Sequence, residues 1–231
     1  MVEFIETQPE ILNHVKISTL RARCHRFAVR NDNHHYIKIM PLRVIAGTAK
    51  GRKLKDVPGD TTRPVTDRVK EALFNILASD VDDSRWWDLF GGTGAIGIEA
   101  LSRGAAFVRF SDLNRLPVEI IKTNLETTGF SKKAEVRRGD AFAMLAGRAD
   151  AEFDYLYIAP PQYKEMWIKA LQLADQNPDW LSEGAWVIVQ INPVEDKEVE
   201  LKNFEKFDER KYGSTLLLFY EKLGSAESKV S

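Results

Sequence analysis

The chain has 231 residues, 44% of them hydrophobic and 29% charged, enough to bury a sizeable core in an ordinary soluble protein. Its one cysteine, Cys24, excludes an internal disulfide framework and points to a reducing compartment, and no apolar run approaches the ~18 residues that span a bilayer. Charge is uneven: residues 1–70 carry 14 Lys and Arg against 7 Asp and Glu, a net of +7, and residues 71–231 carry 19 against 27, a net of −8. A basic leading segment on an acidic body suggests an anionic partner at one end.

Residues 1–39 show weak periodicity, and they hold His14, Cys24, His25, His34 and His35. From Met40 onward there is neither His nor Cys. This excludes a Cys/His zinc site, a Ser-His-Asp triad and a Cys nucleophile from the main body, and no metal is expected. Glu3, Glu6 and Glu10 stand where a signal peptide would be basic. Met40 reads as the natural start, with residues 1–39 an extension or a mobile tail.

Residues 40–83 read as a basic hairpin–helix segment. Arg43–Ala46 and Arg52–Val57 are predicted to pair as a hairpin around residues 47–51. Thr66 or Asp67 then caps a helix with Val69, Leu73, Ile76 and Leu77 on one face. Residues 84–223 alternate strand and helix. The predicted strands are 86–90, 107–111, 134–138, 153–158 and 185–191, and the predicted helices are 95–103, 116–128, 141–146 and 166–175. Short connections between them imply a parallel sheet with helices on both faces. Residues 204–212 and 214–220, joined at Gly213, read as a hairpin, and 224–231 as a tail. A mostly parallel seven-stranded sheet with a terminal antiparallel hairpin is the α/β, Rossmann-like architecture of class I methyltransferases.

Gly92, Gly94 and Gly97 match G-x-G-x-x-G between a predicted strand and a predicted helix. Missing side chains let a ligand approach the backbone, and the helix start offers free N–H groups. Asp112, twenty residues after Gly92, can accept both hydroxyls of a ribose, in a dinucleotide or in S-adenosylmethionine alike. Asp88 discriminates between them: a carboxylate there repels a pyrophosphate and suits the cationic amino-acid end of S-adenosylmethionine. Asp140 and Ala141 lie where an adenine edge would sit, although Asp140 also reads as a plain helix cap. Asp88, Phe90, Gly91, Gly92, Thr93, Gly94, Asp112, Asp140 and Ala141 are thus the candidate cofactor site, favouring S-adenosylmethionine over NAD.

The fourth strand ends in Ala159-Pro160-Pro161-Gln162-Tyr163. A double proline freezes a strand end and aims its carbonyls at the edge where open α/β sheets bind ligands. Methyltransferases acting on exocyclic or amide nitrogens carry Asn or Asp, then Pro-Pro, then an aromatic residue here. The side-chain oxygen and the first proline carbonyl accept from the target amine, and the ring stacks on the base.

From Arg43 to Lys222 the chain resembles the RsmD-type small-subunit ribosomal RNA guanine-N2 methyltransferases. The resemblance rests on Arg43-Val44-Ile45-Ala46-Gly47, Thr62-Arg63-Pro64, Thr66 through Asn75, the Asp88-Leu89-Phe90 glycine turn, Ala100 through Ala105, and Tyr212-Gly213-Ser214-Thr215. It implies a cytoplasmic, monomeric enzyme that uses S-adenosylmethionine to methylate a guanine N2 amine, guanine 966 of the 16S RNA, on small-subunit ribosomal RNA or an assembling 30S particle. The candidate catalytic residues are Ala159, Pro160, Pro161, Gln162 and Tyr163. Ala159 departs from the family's acidic residue, and Gln162 from its aromatic one. Two alternatives accompany this reading: a non-catalytic RNA-binding homologue, and a protein glutamine N-methyltransferase, against which the Arg63–Asn75 block argues. Arg43, Lys50, Arg52, Lys53, Lys55, Arg63, Arg68 and Lys70 would hold RNA phosphates without reading sequence. Trp86 and Trp87 are expected in the sheet core.

Overall fold

The computed structural model describes residues 42–58, 65–161 and 165–224. Asp67–Leu77 form α1, Arg85–Asp88 β1, Ala95–Ser102 α2, Phe107–Asp112 β2, Arg115–Thr128 α3 and Ala134–Arg138 β3. Then come α4 (Ala141–Leu145), β4 (Phe153–Ile158), α5 (Met166–Gln176), β5 (Leu181–Ile191), β6 (Phe204–Tyr212) and β7 (Thr215–Lys222). The seven strands form one sheet in the order β3-β2-β1-β4-β5-β7-β6. The first five strands are mutually parallel, and β7 runs antiparallel to both β5 and β6. This is the expected class I methyltransferase architecture.

Strand β1 shows why the sheet is covered on both faces. Successive side chains alternate sides of a strand. Trp86 stacks between Phe74 of α1 and Tyr155, at 5.6 and 4.5 Å between ring centroids. Trp87 enters the opposite core with Phe153 and Trp180. Both indoles are buried, and each N–H has a serine partner: Trp86 donates to Ser84 and Trp87 to Ser111. Both tryptophans are sheet core, as expected.

Helix α2 is buried on every side. Its sequence, Ala-Ile-Gly-Ile-Glu-Ala-Leu-Ser, is apolar almost all round, as a helix covered on both flanks requires. One flank packs on the sheet; residues 42–57 cover it from outside as a strap. Thr66 caps α1 through its hydroxyl, which accepts from Val69 N–H. The inner face of α1 is Val69, Lys70, Leu73, Phe74 and Leu77, with Ile76 only partly buried.

Two sequence expectations are corrected. The hairpin of Arg43–Ala46 with Arg52–Val57 contracts to a single bridge, Arg43 with Lys53. Val44 N–H donates to Arg52 O at 2.9 Å and Leu54 N–H to Leu42 O at 2.8 Å on either side of that bridge; beyond it the chain turns at Gly47, and the outward N–H groups of Ile45 and Ala46 donate to the Glu99 carboxylate of α2, at 2.8 and 2.9 Å. Strand β5 starts at Leu181 rather than Ala185, because Leu181 pairs with Phe153 across a bulge in the ladder.

Candidate functional site

The strand order turns at β1: β2 and β3 lie on one side, β4 and β5 on the other. In such a sheet the crevice at the carboxyl ends of the strands, at this switch point, is the ligand site. Register places the candidate residues along that edge. Asp88, the last residue of β1, sits opposite Phe110 of β2 and Tyr157 of β4. Asp112 closes β2 two residues beyond Phe110, and Ala159 follows β4 two residues beyond Tyr157. Three segments far apart in sequence thus converge at one edge.

Between Asp88 and α2 the chain makes a tight turn. Gly94 is the N-cap of α2 at φ 76°, in the left-handed region where side chains are disfavoured. Its N–H donates to Gly91 O at 2.7 Å, closing the turn. Gly92 N–H donates to Asp112 Oδ2 at 3.1 Å, and Asn114 N–H to Asp112 Oδ1 at 2.8 Å. These bonds fix the Asp112 carboxylate against the glycine turn. Asp140 caps α4, accepting from Phe142 N–H at 2.8 Å, so the plain-cap reading describes its geometry. Phe142, in turn, meets Phe90 edge-on with centroids 6.0 Å apart.

Asp88 is buried. Desolvation pushes its carboxyl up to about 8, the Gly97 N–H opposes the shift, and the negative Asp112 adds to it. Burial likewise raises Asp112, against the bonds from Asn114 and Gly92. Two carboxylates at one edge, neither in an ion pair among the described residues, suit a cationic ligand with hydroxyls. S-adenosylmethionine, which carries a sulfonium, an ammonium and ribose hydroxyls, is chemically compatible with this donor set. Burial also raises Tyr157 well above the usual phenol range, and its hydroxyl donates to Gln190 Oε1 at 2.6 Å.

At the β4 tip, Ala159 and Pro160 are half-buried and Pro161 is exposed. Gln162 and Tyr163 lie outside the described residues, as do Arg63 and all of residues 1–39. Of the basic candidates, Arg43, Lys50, Arg52, Lys53, Lys55 and Arg68 are exposed. Arg43 pairs with Asp67 at 3.0 Å. Lys70 is a correction. Its side chain is fully buried, its ammonium donates to the Arg43 carbonyl, and Asp67 lies 3.6 Å away. Burial lowers its pKa, against Glu99 and Asp67. Lys70 holds the strap to α1 rather than facing RNA.

Two residues missing from the sequence reading organise the site from behind. Glu99, fully buried, gathers the strap N–H groups and Arg103 Nε at 2.9 Å. Asn124, also buried, bonds both the strap and the glycine turn. Their signal was a lone polar residue within an apolar helix face: Glu99 among Ile96, Ile98 and Leu101, and Asn124 beside Ile120, Ile121 and Leu125.

Known proteins agree with this geometry. The family described as conserved hypothetical protein 95 matches residues 42–221. Ribosomal RNA small subunit methyltransferase D of Escherichia coli is 31% identical over 189 residues, covering 81% of this chain and 93% of that protein. Its Haemophilus influenzae namesake is 36% identical over 151 residues, covering 64% of this chain and 78% of that protein. Among solved structures, yhhF of Escherichia coli superposes with a TM-score of 0.71 at 30% identity, covering 80% of this chain and 99% of that one. An RNA methyltransferase from Salinibacter ruber, in complex with S-adenosyl-L-homocysteine, shares the fold at 16% identity and a TM-score of 0.56, over 73% of this chain and 99% of that one. Sheet order and switch-point crevice therefore define a class I methyltransferase, the class that works with S-adenosylmethionine. Within it, the chain belongs to the conserved hypothetical protein 95 family, that of the RsmD-type methyltransferases.

Proposed function

We propose that this protein transfers a methyl group from S-adenosylmethionine to the exocyclic N2 amine of a guanine in small-subunit ribosomal RNA, in the cytoplasm. The observation that supports the reading best is the convergence of Asp88, Asp112 and the Ala159-Pro160 tip on one sheet edge, in a chain whose relatives include ribosomal RNA small subunit methyltransferase D. The cofactor supplies an electrophilic methyl carbon on a sulfonium. Asp88 and Asp112 hold its charged and ribose ends. The Pro160 carbonyl accepts a hydrogen bond from the guanine amine and aims the nitrogen lone pair. That nitrogen would take the methyl group from a bound cofactor, which leaves as the neutral thioether, and the amine proton could pass to water afterwards, so this chain needs no strong base there. Lys50, Arg52, Lys53, Arg63 and Arg68 hold phosphates around the target.

A second reading has one observation in its favour. Ala159 offers no side-chain acceptor where the family carries an acidic residue, and loss of one orienting acceptor costs about 10²–10³ in rate. On that reading the protein binds RNA and cofactor without transferring. One experiment separates the two: methyl transfer from labelled cofactor to 30S subunits of an Escherichia coli strain lacking its own relative, with mapping of the product. Transfer to one guanine N2 is the expected result. Binding without transfer supports the second reading, and label on another base or on protein contradicts the first.

A further inference from the structure

The basic strap and the glycine turn belong to different functions, RNA holding and cofactor holding, yet one side chain joins them. Asn124 projects from the buried face of α3 and is 1% exposed. Its Oδ1 accepts from Lys55 N–H at 2.7 Å. Its Nδ2 donates to Lys55 O at 3.0 Å and to Thr93 O at 2.9 Å. Both N–H groups of the amide and its oxygen are thereby committed, so the group has one orientation. The strap's other side-chain ties run to Glu99 and Ser102 of α2 and to Asp67 and Lys70 of α1, not to the turn. Among the described residues, Asn124 alone bonds strap and turn together. Lys55 follows Arg52 and Lys53, and all three are exposed; Thr93 stands between Gly92 and Gly94 of the turn.

We propose that Asn124 is a positioning residue that couples RNA held on the strap to cofactor held at the glycine turn, an inference that rests on the function proposed above. A ligand that stiffens Thr93 damps the motion of the amide bonded to it, and the amide damps the backbone of Lys55. RNA phosphates on Arg52 and Lys53 then meet a stiffer strap, so each ligand tightens the other. The coupling is reciprocal by necessity.

The test is a linkage measurement. S-adenosylhomocysteine is titrated into the wild-type chain alone and with saturating 30S subunits from the Escherichia coli strain described above. The subunits should tighten its binding by at least ~5-fold, the lower end of ordinary couplings. Asn124→Asp keeps the acceptor for Lys55 N–H but turns a carboxylate oxygen toward two carbonyls. In that variant the ratio of the two affinities should fall to about one. A purely structural Asn124 would lower the melting temperature and leave the ratio unchanged, which would overturn the proposal. Should the variant fail to fold, amide exchange in the wild type decides: S-adenosylhomocysteine alone should slow exchange at Lys55, and unchanged exchange overturns the tie. Wild-type protein that binds no 30S subunit overturns the RNA reading and this coupling with it. Binding of both ligands with unlinked affinities overturns the coupling alone.

Discussion

Asp88 sits where burial and charge oppose each other. An unfolded carboxyl titrates near 3.8, and the folded one is raised to about 8, chiefly by desolvation. A raised carboxyl binds its proton more tightly folded than unfolded, so the contribution of Asp88 to stability is best below about pH 4 and declines as pH rises toward about 8. Asp88→Asn removes that dependence. Melting of the ligand-free variant at pH 5 and pH 8 should show a smaller loss with pH than the wild type, together with weaker cofactor binding. Equal pH slopes in the two proteins would show that the carboxyl is ionised across the whole range. The β4 tip offers a second test. Ala159→Asp restores the family's acceptor and should raise single-turnover transfer or leave it similar. Pro160→Ala loosens the aimed carbonyl and should lower it. Robust wild-type transfer abolished by Ala159→Asp would mean the amine is held by other groups.

Among the elements, the strap explains the Arg43–Gly47 block that carries part of the family resemblance. Arg43 O is held by Lys70, Ile45 and Ala46 by Glu99, and Ala46 O by the Ser102 hydroxyl at 2.5 Å. Gly47 turns the chain at φ 76°, and a Cβ there would meet Ser102 O at 1.7 Å. Gly47→Ala must therefore displace the strap from α2, at a cost of more than ~2 kcal/mol. Chemical denaturation measures it, and a variant within ~0.5 kcal/mol of the wild type would show the strap to be dispensable. On the proposed function the block would act on RNA through architecture, since Lys50, Arg52 and Lys53 are exposed on a backbone bonded to α2 and α3.

For the molecule as a whole, RNA affinity should follow the exposed cations. Removing Lys50, Arg52, Lys53 or Arg68 singly should flatten the salt dependence of 30S binding by ~0.7–0.9 for each phosphate no longer neutralised. Lys70→Met should leave that slope intact and lower stability instead, since its ammonium is buried against the strap. If Lys70→Met flattens the slope as well, Lys70 reaches RNA after all. A chain starting at Met40 should melt within a few degrees of the full chain and bind cofactor as well, because residues 1–39 show no core periodicity. A larger drop on truncation would place part of the core in that segment. Among the described residues no helix is long and apolar enough to cross a membrane.

Local signals in the chain were sufficient for the sheet, its parallel order, the terminal hairpin and the glycine turn. These rest on periodicity and on glycines, and each signal lies within a dozen residues of the element it specifies. The carboxylates at the β1 and β2 ends were legible for a related reason: strand ends and ligand crevices coincide in this architecture. Partnerships across long separations came only with the folded arrangement. Lys70 reads as one more surface cation until the strap, 27 residues away, closes over it. The outward N–H of Ile45 reads as a solvent-facing donor until Glu99, 54 residues on, accepts from it. Asn124 reads as a polar residue in an amphipathic helix until Lys55 and Thr93, 69 and 31 residues distant, converge on its amide. A buried polar group must find partners wherever the fold supplies them, and local sequence carries no record of which distant backbone that will be.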